Sequence, residues 1–248
     1  MRKLIIVVLA VVVLAVAADF TAAAAAEHMV ATQLRQQAGL PRDPSVRIDG
    51  FPFLTQALVG RYPAIDVRAS GLSVQQLHDL DVEATLHDVD APQIWRLSQV
   101  SSGNLQSVRV ARVEGRVRIT EADLGRVIGV DDLRIQQPPS ATDSASDTRA
   151  PIQLAATTHF AGQPLEVVGL GVIELTGDRV RITIHEVRSV QAGAGAVNLP
   201  PALRHALLTT LSTDVKPGTL PFAVTPTRVW VQTGSVVVEG RATDVTLR

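Results

Sequence analysis

From Ile65 onward, apolar and polar residues alternate along one segment after another, and this alternation constrains the fold more than any other feature of the chain. Ile65, Val67 and Ala69 alternate with Asp66, Arg68 and Ser70. Leu80, Val82, Ala84 and Leu86 alternate with Asp81, Glu83, Thr85 and His87. Ala111, Val113, Val117 and Ile119 alternate with Arg112, Glu114, Arg116 and Arg118. Successive side chains of a strand point to opposite faces, so each segment predicts a β-strand with one dry face and one wet face.

The second half repeats this style. Ile152, Leu154, Ala156, Thr158 and Phe160 alternate with Gln153, Ala155, Thr157 and His159. A hairpin is predicted over residues 165–190, turning at Thr176, Gly177 and Asp178, and another joins 228–232 to 235–239 about Thr233 and Gly234. The strand at 165–175 is apolar on both faces. Gly169 and Gly171 share one of them, which lets the strand coil sharply or admits another backbone or a ligand. Aromatics are only 3% of a chain that is 46% hydrophobic, so the core is expected to be built from Val, Leu, Ile and Ala.

Three helices are predicted around these strands. Residues 19–38 carry a thin apolar stripe of Met29, Val30 and Leu34, ended by Gly39 and Pro41. Thr120, Glu121, Ala122 and Asp123 resemble a capping box, followed by Leu124, Val127 and Ile128. Asn198, Leu199, Pro200 and Pro201 open a third helix, with Leu203, Ala206, Leu207 and Leu211 on one face. Residues 137–151, rich in proline, serine and small polar groups, are expected to form a flexible loop within a single domain.

The chain begins as an exported protein does. Arg2 and Lys3 precede an apolar run at residues 4–18, and Ala15 and Ala17 offer a small-residue cleavage site. Residues 1–26 are therefore expected to be a signal peptide or an N-terminal membrane anchor, placing residues 27–248 in the periplasm or cell envelope. The chain contains no cysteine, which excludes disulfides, thiolate metal sites, thiol nucleophiles and a lipidated cysteine. A net charge of −1 and so few aromatics give no pull toward nucleic acid.

Catalytic motifs are not legible. No two of the six histidines, at 28, 78, 87, 159, 185 and 205, stand at i, i+4 on a helix or i, i+2 on a strand, so no metal site is expected. Asp79 with Asp81, and Asp88 with Asp90, mimic the paired aspartates that hold a metal-bound nucleotide sugar, but such pairs also decorate any wet strand face. The arginine row at 112, 116 and 118 is interrupted by Glu114 and reads as a solvated face. The glycine patterns match neither a dinucleotide nor a phosphate loop, and no serine nucleophile elbow occurs. The expectation is a non-enzyme with no cofactor.

Residues 46–67, VRIDGFPFLTQALVGRYPAIDV, pack strand, turn and short-helix signals together. Gly50 breaks a strand, Pro52 suits a first helical turn, Gly60 suits a cap, and a second strand is expected from Ile65. Phe51, Phe53, Leu54, Ala57, Leu58 and Val59 make the segment too apolar for a surface loop unless something apolar covers it. It is either a core plug at one end of a sheet or the mouth of a lipid-binding cavity.

The pattern V-x-I-x-G-F-P-F-L-T, the G-R-Y-P at 60–63 and the Leu220, Pro221, Phe222 triplet resemble the actinobacterial LmeA-like phospholipid-binding family, over residues 27–247. The resemblance implies an α+β fold of the tubular lipid-binding (TULIP or BPI-like) kind, a long curled antiparallel sheet wrapping one or two helices. It also implies phospholipid partners such as phosphatidylinositol-type lipids, a membrane surface, an envelope mannosyltransferase and a role in lipomannan and lipoarabinomannan assembly. Candidate lipid-binding residues are Phe51, Phe53, Leu54, Leu58, Leu203, Leu207 and Phe222. The alternative is an exported scaffold that docks on a membrane enzyme and uses its apolar faces only as core.

Overall fold

The computed structural model describes residues 2–74, 77–91, 108–138, 146–160, 163–177, 179–191, 195–196, 199–215 and 224–247. The Leu220, Pro221, Phe222 triplet lies outside them. In chain order the elements are α1 (Arg2–Ala38), β1 (Ser45–Asp49), α2 (Phe53–Val59), β2 (Arg61–Val74), β3 (Leu77–Asp90), β4 (Val108–Thr120), α3 (Glu121–Ile128) and β5 (Arg134–Gln136). There follow β6 (Arg149–Phe160), β7 (Gln163–Thr176), β8 (Arg179–Gln191), β9 (Gly195–Ala196), α4 (Pro201–Leu211), β10 (Thr213–Val215), β11 (Thr225–Gln232) and β12 (Ser235–Leu247).

The strands form two sheets, one ordered β1-β2-β3-β4-β12-β11 and the other β10-β8-β7-β6-β5, with β9 paired to β8. Every strand pairing whose register is resolved is antiparallel, and neither sheet closes into a barrel. The fold is α+β, as the sequence predicts. By contact density the chain divides into two compact units. The first comprises residues 1–70, 83–114 and 242–248, and the second 71–82 and 115–241.

In the first unit the interior is made by aliphatic residues around two aromatics, Phe53 and Tyr62. Val46 and Ile48 of β1 are buried and pair in register with Val67 and Ile65 of β2. β2 begins at Arg61 rather than at Ile65, and its buried residues Tyr62 and Ile65 are three apart, so the strict alternation does not reach back to its start. Pro63 has no N–H to contribute and lies just past the last β1 pair, Asp49 with Ala64, where a proline is tolerated. In β4 the buried residues are Val110, Val113 and Ile119, and the first two are three apart, so the strict alternation expected from Ala111 breaks there and Ala111 is exposed.

In the second unit one aliphatic cluster joins both sheets and two helices. It includes Leu80, Ile119, Val229 and Val236 from the first sheet, Ile135, Ile152, Leu154 and Ile173 from the second, Leu124 of α3 and Leu211 of α4. The paired glycines of β7 face into this crowding. At Gly171 an added Cβ would strike the Thr183 carbonyl oxygen and the Ile184 side chain, beside a register shift between Leu170 and Gly171. At Gly169 it would lie 3.1 Å from both Ile184 and Leu211. The glycines therefore admit a neighbouring strand and a helix side chain.

α3 starts as a capping box predicts, with the Thr120 hydroxyl accepting from the Asp123 N–H at 3.2 Å, and Gly129 ends it in the left-handed region at φ 81°. Glu121 does more than cap. Its Oε2 accepts from the Ile135 N–H while its own N–H donates to the Gly234 carbonyl, tying α3 to β5 and to the β11–β12 turn. β6 begins at Arg149, inside the stretch read from sequence as a loop. The Asp147 and Thr148 carbonyls already accept from Val229 and Leu175 there.

Candidate functional site

The segment that joins β1 to β2 is built from two glycines and a borrowed carboxylate. Gly50 takes φ 108°, a backbone conformation that strains any residue with a Cβ, so the turn favours glycine. Gly60, at φ 75°, closes α2 by donating its N–H to the Gln56 carbonyl at 2.7 Å. Between them Pro52 stands at the N-cap with no side chain able to accept from the helix. Asp19 of α1 supplies that acceptor from 34 residues away. Its Oδ2 accepts from the Phe53 N–H and its Oδ1 from the Leu54 N–H, both at 2.8 Å. The carboxylate is 4% exposed and lies where the positive end of the α2 dipole favours an anion.

Each face of α2 is apolar. Phe53 and Ala57, four apart, are buried, and the Phe53 ring lies 6.3 Å from that of Tyr62. Burial pushes the Tyr62 phenol above its ordinary pKa, and its hydroxyl has no hydrogen-bond partner among the described residues. Leu54 and Leu58, also four apart, look outward. With Phe51 and Val59 they stand 43–65% exposed, and Phe20 of α1 stacks on Phe51 at 6.0 Å. α2 contains no charged residue, and the exposed Arg61 follows it directly.

The helix that supplies Asp19 and Phe20 is continuous with the apolar N-terminal run. α1 is 37 residues long, and by length and composition it can cross a membrane. Leu4, Ile5, Ile6, Val7, Val8, Leu9 and Val11–Leu14 are all at least half exposed. Beyond Asp19 the helix is held to the first unit: Glu27 Oε1 accepts from the Ile48 N–H at 2.8 Å, and Arg35 pairs with Asp43 at 3.0 Å.

The seven residues singled out from sequence fall into three groups. Phe51, Phe53, Leu54 and Leu58 are brought together at α2, with Phe53 inside and the other three outside. Leu203 and Leu207 lie on α4 in the second unit, half-buried against its core beside Leu208, while Ala206 is exposed. Phe222 lies outside the described residues. Asp19 and Phe20 belong to the α2 group and are not among the sequence candidates, and Val59, read from sequence only as part of the apolar segment, joins them. The signal for Asp19 was present, since a lone carboxylate ending an apolar run of that length needs a partner if it stays in the structure.

Other candidates offer less. A groove of about 270 Å³ in the second unit is lined by Gln137, Pro151, Trp230 and the ion pair of Arg228 with Asp147, and is smaller than the roughly 300–1,000 Å³ of common small-molecule sites. Asp79, Asp81, Asp88 and Asp90 all lie at least partly exposed along β3. Arg116 is taken by Glu239 at 2.8 Å and by the Trp230 ring at 5.3 Å. Among the described residues no three His, Asp or Glu side chains converge as a metal site would require.

The profile of the LmeA-like phospholipid-binding family matches residues 17–241. No curated protein and no solved structure matches the chain. The match takes in all but the extreme ends, and the chain belongs to that family.

Proposed function

We propose that this member of the LmeA-like family is an exported, non-catalytic phospholipid-binding protein of the cell envelope. The observation that carries the reading is the outward apolar face of α2, where Phe51, Leu54, Leu58 and Val59 stand 43–65% exposed. Large side chains are not clustered in water without a partner, and the matched family supplies phospholipid as the partner's chemistry. An acyl chain of about 16 carbons gains on the order of 10 kcal/mol on burial at roughly 0.8 kcal/mol per CH₂, so such a protein needs apolar surface more than directed hydrogen bonds.

In this reading Phe51, Leu54 and Leu58 touch acyl chains, Phe53 supports them from beneath, and Leu203, Leu207 and Phe222 form a second apolar group. The fold is then of the tubular lipid-binding kind that the family resemblance implies, and the bound lipid serves lipomannan and lipoarabinomannan assembly beside an envelope mannosyltransferase. Native mass spectrometry of the full chain released from non-ionic detergent micelles tests the central claim. Retained phospholipid, reduced several-fold by Phe51→Ser with Leu58→Ser, is the expected result. A lipid-free protein holding a stable protein partner would replace the carrier by a scaffold.

A further inference from the structure

The structure describes a membrane-length helix and an uncharged apolar surface that meet at one residue pair. Phe20 is the first large apolar residue after the long run of α1, and it stacks on Phe51 at the edge of the α2 face. One residue earlier Asp19 holds the two leading amides of α2. The exposed side chains of residues 4–14 and those of α2 are thus parts of one apolar surface in the first unit, separated along α1 by about 9 Å at 1.5 Å per residue.

We propose that the outer face of α2 is a bilayer-docking surface: α1 enters the membrane as far as Asp19, and α2 lies on the membrane at the level of the acyl-chain boundary. The occupant is a phospholipid bilayer, because the surface continues an exposed 15-residue apolar run, about 22 Å long, in a helix whose length and composition suit a membrane. Charge agrees with this placement. α2 has no charge to desolvate, and Arg61, exposed and without an ion-pair partner among the described residues, follows Val59 within two residues, at phosphate level. Asp19 is the positioning residue. By tying α2 to α1 at the point where the helix leaves the bilayer, it fixes which side of the first unit faces the lipid. Docking extends the phospholipid-binding reading and can fail without it, since a bilayer can be touched by a protein that carries no lipid and the reverse.

The chain has no cysteine, so a single introduced cysteine takes a nitroxide label uniquely. The full chain is reconstituted into phosphatidylcholine–phosphatidylglycerol vesicles with labels at Leu9→Cys, Leu58→Cys or Arg42→Cys. Arg42 is an exposed site beyond the far end of α1, about 27 Å along the helix from Phe20. Power saturation against oxygen and a water-soluble nickel chelate should put the Leu58 label about 5–10 Å into the headgroup and acyl boundary. The Arg42 label should stay in water and the Leu9 label should lie deepest. A Leu58 label as accessible to nickel as Arg42 overturns the docking, and so does a Leu9 label in water. Asp19→Ala should loosen the Leu58 label, sharpening its spectrum; an unchanged spectrum would remove Asp19 from the positioning role. Phospholipid retained by the detergent-released protein is scored separately, so each reading can fail alone.

Discussion

Neighbouring residues of one type meet different fates in this chain, and helical phase decides which. Phe51 and Phe53 are two apart, yet one is 61% exposed and the other 6%. In sequence Phe53 with Ala57 and Leu54 with Leu58 are equivalent stripes, so the apolar segment was legible but its inner and outer faces were not. Beneath the inner stripe, Tyr62 buries a hydroxyl with no partner among the described residues. A buried unpaired hydroxyl costs about 1–3 kcal/mol, and replacing it with hydrogen removes that cost. Tyr62→Phe should therefore leave stability unchanged or raise it by up to about 1 kcal/mol, read by denaturant titration. A loss of that size instead would show that the hydroxyl is bonded. Asp19 was visible as an interruption in the apolar run, whereas its partners, 34 and 35 residues on, carry no sequence mark because they are backbone amides.

At the scale of elements, local pattern predicted local structure well and tertiary crowding poorly. The hairpin of β7 and β8, the capping box of α3 and the proline-opened α4 follow from neighbouring residues alone. The alternation of β4 fails between Val110 and Val113, and the loop expected to run to residue 151 ends earlier, because the chain there already bonds to β11 and β7. The two glycines of β7 looked alike in sequence. The structure separates them: a Cβ at Gly171 meets fixed backbone, whereas one at Gly169 meets methyl groups of Ile184 and Leu211 at 3.1 Å, a clash that a few tenths of an ångström of side-chain movement relieves. Overpacking of a well-filled core costs about 1–3 kcal/mol. Gly171→Ala should reach or exceed the top of that range and Gly169→Ala should stay near its bottom, read by urea unfolding of each variant. Equal losses would mean that Ile184 and Leu211 cannot move.

For the whole molecule the informative strand is the last. β12 lies inside its sheet, between β4 and β11, and its residues are shared by both compact units, with the part up to Arg241 in one and the part from Ala242 in the other. Nothing in its sequence marks it as central, since alternation reports which face of a strand is dry and is silent about its place in the sheet. Val236 and Val237 in one unit and Ala242 and Val245 in the other are all buried. A chain ending at residue 234 should lose native signal from both units at once, measured as collapsed amide dispersion in NMR rather than as the loss of a fraction of peaks. Survival of either unit would show that β12 is dispensable to it. The placement also bears on assembly. Until β12 has paired, β4 has a free edge and β11 has no neighbour in the first sheet, so the chain before it carries an unfinished edge that only its own later strand completes.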